Sequence, residues 1–195
     1  MATRSSTRRR TSAAIRPIAG LLLAIGMLPG TGALAAVHPA QSGTISRSSP
    51  ATVAESADAA KAVAQFRADM RSILDQYGRR YGARLDPAER DRMSALTRKV
   101  DHDLGRLERT ARATARQVKA GRPRLAATSA RQALVGYQRS YAEATATLAE
   151  VQPILAPHLG LLEALEAKSQ VDQQFTRFRL IGEQLASVER SLTPG

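Results

Sequence analysis

Between Ala127 and Val151, apolar residues recur at Ala127, Ala130, Leu134, Tyr137, Tyr141, Ala144, Leu148 and Val151. The steps alternate between three and four. Only a helix places such residues on one side, and the 3.5-residue average is that of helices packed lengthwise against each other. The same period runs through the flanking segments. Val63, Phe66, Met70, Ile73, Tyr77 and Tyr81 share one face, as do Met93, Leu96, Val100, Leu104, Leu107, Ala111 and Val118. A fourth face holds Leu162, Leu165, Val171, Phe175, Phe178, Ile181, Leu185, Val188 and Leu192. No strand-type alternation persists beside these faces.

Stop and start signals divide the pattern. Asp86, Pro87 and Glu89 make a capping box with proline in the first turn. Lys119-Ala120-Gly121-Arg122-Pro123 reads as a helix stop. Pro153 and Pro157 interrupt the pattern once more, and Gly82 suits a left-handed position after the first helix. The expected helices span about 50–81, 86–120, 124–152 and 157–192. Four helices of similar length joined by short turns predict an all-α, antiparallel up-down-up-down four-helix bundle over 50–195.

A different pattern precedes the bundle. Residues 1–17 hold Arg4, Arg8, Arg9, Arg10 and Arg16 and no acid, an apolar run follows to Leu28, and Ala33-Leu34-Ala35 is a small-x-small site. This order predicts a secretory signal peptide over 1–35, cleaved after Ala35, with a flexible leader over 36–49. The expected location is therefore periplasmic or secreted. An uncleaved N-terminal anchor in the inner membrane is the alternative. The chain has no cysteine. A lipoprotein anchor, disulfides, covalent haem and iron–sulfur ligation are thereby excluded. Loss of 1–35 would take the net charge from +12 to +7, with 24 basic and 17 acidic residues remaining.

The charge is unevenly placed. From Arg109 to Ala142 there are eight basic residues and no acid. Arg109, Arg112, Arg116 and Lys119 step by three and four along the second helix, and Arg122, Arg124 and Arg131 continue past the turn. These seven are the candidate residues for binding an anion or a partner. Glu55, Asp58, Glu183 and Glu189 belong to the same pole of the expected bundle and offer internal counter-charges.

Catalytic chemistry finds no support. Nucleophile-elbow, P-loop and dinucleotide-binding patterns are missing. His102 has Arg98, Lys99, Gly105 and Arg106 at the helical ligand spacings, and His158 has only Ile154, Leu155, Leu161 and Leu162. Neither can assemble a bundle metal site. In Asp101-His102-Asp103 consecutive side chains point about 100° apart, so both carboxylates cannot orient one imidazole. No enzyme activity, metal or cofactor is expected. Phe66, Tyr137, Tyr141, Phe175 and Phe178 fall near mid-bundle as an aromatic layer, with Gly105 and Gly136 at the same height to make room for rings.

Leu85-Asp86-Pro87-Ala88-Glu89-Arg90 resembles one copy of the L-T-x-x-Q box of Spy-like periplasmic chaperones, exported helical proteins that shield unfolding envelope proteins. Asp86 stands for Thr and Glu89 for Gln, a second copy is missing, and helix capping alone accounts for all six residues. The sequence as a whole predicts a non-enzymatic envelope interaction protein, chaperone-like or adaptor. The alternative is a binder of an anionic envelope component (lipid head group, lipopolysaccharide or cell wall) through the basic pole. The expected partners are an envelope protein or an anionic envelope surface and not nucleic acid, with a homodimer as a further option.

Overall fold

The computed structural model describes residues 49–193, so the expected signal peptide and almost all of the expected leader lie outside the described residues. Four long helices follow one another: α1 (Pro50–Tyr81), α2 (Pro87–Lys119), α3 (Pro123–Leu155) and α4 (Leu161–Leu192). Consecutive helices pack side by side and α4 closes against α1, an all-α antiparallel four-helix bundle. The pole that joins α2 to α3 is called the upper end here, and the opposite pole the lower end.

The helix ends have chemical causes. Ser49 accepts the Thr52 amide at 3.1 Å and caps α1. At α2, Asp86 accepts the Glu89 amide at 2.8 Å while the Glu89 carboxylate accepts the Asp86 amide at 2.9 Å. Gly121 leaves α2 with φ +64°, the left-handed conformation that glycine adopts without steric cost. Gly82 differs from expectation. Its φ is −59°, and it ends α1 in right-handed geometry with its amide bonded to the Gly78 carbonyl.

Two further boundaries depart from the sequence pattern. α3 runs through Pro153 to Leu155 instead of stopping near 152. A proline one turn from a helix end removes only one ladder bond. Ile154 and Leu155, both buried, hold that last turn in place. α4 begins at Leu161 and not near Pro157, because Ala156–His158 form a short 3-10 turn. The Glu163 carboxylate accepts the Gly160 amide at 3.0 Å, satisfying one donor at the start of α4.

The core has two parts. The upper one joins all four helices around Val63, Phe66, Leu104, Leu107, Val118, Ala126, Ala130, Phe178, Leu185 and Val188. The expected aromatic layer sits at its lower edge. Phe66 stacks on Phe178 at 4.7 Å between centroids, and Tyr137 meets Phe178 edge-on at 5.0 Å. Burial pushes the Tyr137 phenol up to about 12. The glycine that makes room for a ring is neither Gly105 nor Gly136 but Gly182, where a Cβ would overlap Tyr137.

The lower core is smaller and is built from α1, α2, α3 and the turns between elements: Tyr81, Leu85, Leu96, Ile154 and Leu155. α4 is absent from it. Every buried residue of α4 lies from Phe178 onward. Leu162 and Leu165, placed on the apolar face by their spacing, are 80% and 47% exposed, and Leu161 is 60% exposed. This half of α4 is tied to α1 and the turn after it by polar contacts, Tyr77 to Gln170 at 2.9 Å and Arg84 to Glu163 at 2.8 Å.

Candidate functional site: a basic seam between α1 and α2

Arg109, Arg112, Arg116 and Lys119 are all exposed on α2, and Arg122 and Arg124 are exposed at the turn into α3. Three of the four acids of this pole are engaged elsewhere, and Asp58 is exposed with no cation partner among the described residues. Glu189 pairs with Arg131 at 3.2 Å and accepts from the Thr193 hydroxyl. Glu183 lies beside Arg179, and the Glu55 carboxylate accepts from the Ser191 hydroxyl. Among the described residues, none of Glu55, Asp58, Glu183 and Glu189 pairs with a cation of α2. Arg131 is thus separated from the other candidates by its own partner on α4.

One acid does sit inside the stripe. Glu108, mostly buried, takes Arg112 of its own helix and Arg67 of α1, the latter at 2.9 Å. Arg67 also donates to Asp101 at 2.9 Å, and Arg71 shares that carboxylate. The Arg71 and Arg67 guanidiniums hold Asp101 well below the usual carboxylate range, and Asp101 and Glu108 raise Arg67 in turn. Geometry explains how this network fits. A Cβ at Gly105 would lie 2.9 Å from the Arg67 Cζ, so the missing side chain lets the guanidinium lie across α2.

The stripe therefore has more members than the sequence pattern suggested. A groove of about 440 Å³ between α1 and α2 is lined by Arg67, Arg71, Arg98, His102, Asp101 and Arg109, among others. Counting back from Arg109 in the same steps reaches Gly105, His102 and Arg98, a signal present in the sequence but outside its acid-free run. Arg67 and Arg71 on α1 had no such signal, because only helix pairing brings them to α2.

The remaining candidates do not form a site. Asp101 faces arginines, and no hydrogen bond joins His102 to Asp101 or Asp103 among the described residues. His158 Nε2 lies 3.0 Å from the Glu89 carboxylate and ties the α3–α4 connection to the start of α2. No three His, Asp or Glu residues converge as a metal site among the described residues. Beneath the aromatic layer lies a cavity of about 50 Å³, lined by Phe66, Met70, Val100, Leu104, Phe175 and Phe178, among others. Ligand pockets run to about 300–1,000 Å³, so this one has room only for a few waters or a very small apolar molecule. No described helix is long and apolar enough to cross a membrane.

Fold and site together define a helical bundle with a cationic seam along one side. Comparison with protein-family models, curated proteins and solved structures finds no match to this chain.

Proposed function

We propose that this protein is an exported, non-enzymatic interaction module of the bacterial envelope that docks an anionic partner on its basic surface. One observation carries the reading: Arg109, Arg116 and Lys119 stand exposed on one side of α2 while Glu55, Glu183 and Glu189 are occupied on other faces. Unneutralised cations at the surface attract anions over about a Debye length, roughly 8 Å at physiological salt. The export signal over 1–35 places that partner among envelope proteins, lipid head groups, lipopolysaccharide or cell wall.

The test is retention of the purified protein on anionic phospholipid vesicles, lipopolysaccharide and isolated cell wall, at low and at physiological salt. Salt-sensitive retention on at least one, lost when Arg112, Arg116 and Lys119 are changed to Glu, is the expected result. Retention unaffected by the reversal, with a lowered melting temperature, would make the stripe structural. Export is checked separately: mass spectrometry of the envelope fraction should find an N-terminus at or next to Ala36.

A second reading has its own observation. Leu161, Leu162 and Leu165 form an exposed apolar turn at the start of α4. Exposed leucines grouped in this way suit transient contact with unfolding chains, as a chaperone-like or adaptor role requires. Suppression of aggregation of a denatured client, abolished by Leu162→Ser with Leu165→Ser, is the outcome this reading requires.

A further inference from the structure

The cations of α2 form a longer array than the upper pole alone. Arg98, His102, Gly105, Arg109, Arg112, Arg116 and Lys119 step by 4, 3, 4, 3, 4 and 3, so they follow one side of the helix. From Arg98 to Lys119 the rise is about 31 Å, with an ionisable or cationic group every 5 Å or so. The single gap, Gly105, is the place where the Arg67 guanidinium crosses from α1. Positive charge thus spans the gap, although Arg67 is itself held by Asp101 and Glu108, and Glu108 also takes Arg112.

In its lower stretch the array lies open in a groove against α1. On α1 the same three-four spacing runs from Ala57 through Ala60 and Ala64 to Arg67 and Arg71. Of the α1 acids, Asp69 pairs with Arg177 of α4 at 2.7 Å and the Glu55 carboxylate accepts from Ser191, while Asp58 stands exposed near the upper end. In the lower stretch the groove is concave and holds four arginines against two carboxylates, Asp75 and Asp101. Arg98 and Arg109 have no carboxylate partner among the described residues.

We propose that the α1–α2 seam binds a linear polyanion lengthwise, with Arg98, His102, Arg109, Arg112, Arg116 and Lys119 as one rail and Arg67 and Arg71 bridging the gap at Gly105. The inference rests on the anion-docking reading given above and narrows it from any anionic surface to an extended chain. Three features select that chain. The cations are strung along one line and not gathered at a point, so a single phosphate or carboxylate engages only a fraction of them. The lower stretch, from Arg98 to Arg109, is an open groove that a narrow polymer follows more closely than a flat bilayer does. Arginine predominates, and its planar fork matches the oxyanions of both phosphate and carboxylate repeats. Among the described residues the groove holds one ring, the His102 imidazole, and no Phe or Tyr on which successive bases could stack, so single-stranded nucleic acid fits it less well than a polyanion without bases.

The experiment titrates the full chain with long-chain polyphosphate, polyglutamate, tripolyphosphate, a single-stranded oligonucleotide and anionic phospholipid vesicles. Long polyphosphate, polyglutamate or both should bind with a steep salt dependence, and tripolyphosphate about tenfold or more weaker at equal total charge. Whichever long polymer binds identifies the repeat as phosphate or carboxylate. Arg98→Glu with Arg109→Glu should weaken polymer binding about tenfold or more, with helicity and melting temperature little changed, since neither side chain has a carboxylate partner and Arg98 donates only to the exposed Ser94 hydroxyl. Arg122→Glu with Arg124→Glu should change it less than about twofold.

Equal binding of tripolyphosphate and long chains would overturn the proposal by showing a point site. So would loss of binding at Arg122 and Arg124 instead of Arg98 and Arg109, or an oligonucleotide that outcompetes polyphosphate of equal charge. Vesicle binding that long polymers fail to displace would sink the groove and leave anion docking in place. Absence of salt-sensitive binding to any probe, vesicles included, would sink both.

Discussion

The upper and lower halves of the bundle are made from the same four helices, yet they are held together differently. In the upper half every helix contributes to one apolar interior, and Val63, Leu107, Val118 and Val188 are almost completely enclosed. In the lower half three helices close around Tyr81, Leu96, Ile154 and Leu155, while α4 stays outside and is attached by Arg84–Glu163 and Tyr77–Gln170. The difference teaches that an apolar stripe is only an offer of burial. Leu162 and Leu165 have the spacing of core residues, but no facing helix comes close enough to cover them. Glu163 is instead held below the ordinary carboxylate range by the Arg84 guanidinium and the Gly160 amide.

The largest expected contrast is in side-chain truncation. Leu107→Ala should destabilise the protein by about 2–5 kcal/mol, because removing an enclosed leucine loses transfer energy and leaves a cavity. Leu162→Ala should fall within about 0.5 kcal/mol of wild type, as an exposed position does. Chemical denaturation of both variants checks this, and similar losses at both positions would erase the distinction between the halves.

Opening energies should follow the same division. Amide exchange in α4 is expected to be faster over Leu161–Val171 than over Ile181–Val188, whose protection should approach that of global unfolding. Uniform protection along α4 would show that its polar attachments hold as firmly as the upper core.

A smaller effect concerns acid. Asp101 is paired in the folded state, so its folded pKa lies below its ordinary value of 3.8. Its contribution is fully present above that ordinary value and fades as pH falls toward the folded value. Thermal melts should therefore drop on acidification below about pH 4, and Asp101→Asn should flatten that part of the profile while costing about 1 kcal/mol at neutral pH. An unchanged acid limb in the variant would remove Asp101 from the account.

The smallest effect lies at the boundary between the halves. The Thr147 hydroxyl is buried there with no hydrogen-bond partner. Thr147→Val should raise stability by about 1 kcal/mol, since it replaces an unsatisfied polar group with an apolar one of the same shape. A loss of stability would show that the hydroxyl is satisfied by a water in the adjoining cavity.

Much of this architecture is legible in the chain itself. The three-four spacing of α3, the Asp86–Glu89 box and the Gly121 stop specify local conformation through neighbours in sequence, and local rules suffice for them. So does the stripe on α2, whose periodicity extends to Arg98 once counting is not limited to the acid-free run. Pro153 misleads because a general cost of proline is offset by the specific burial of Ile154 and Leu155. Gly105 misleads because what fills the space over it, the Arg67 guanidinium, comes from 38 positions away.

The sequence by itself therefore determined four amphipathic helices, their turns and the line of cations along α2, all set by the geometry of one helix at a time. Tertiary structure alone decided which acids meet which cations, which glycine admits an aromatic ring, and which end of α4 lies uncovered. Those outcomes depend on distances between helices, and a periodic pattern records the direction of a side chain without recording what stands opposite it.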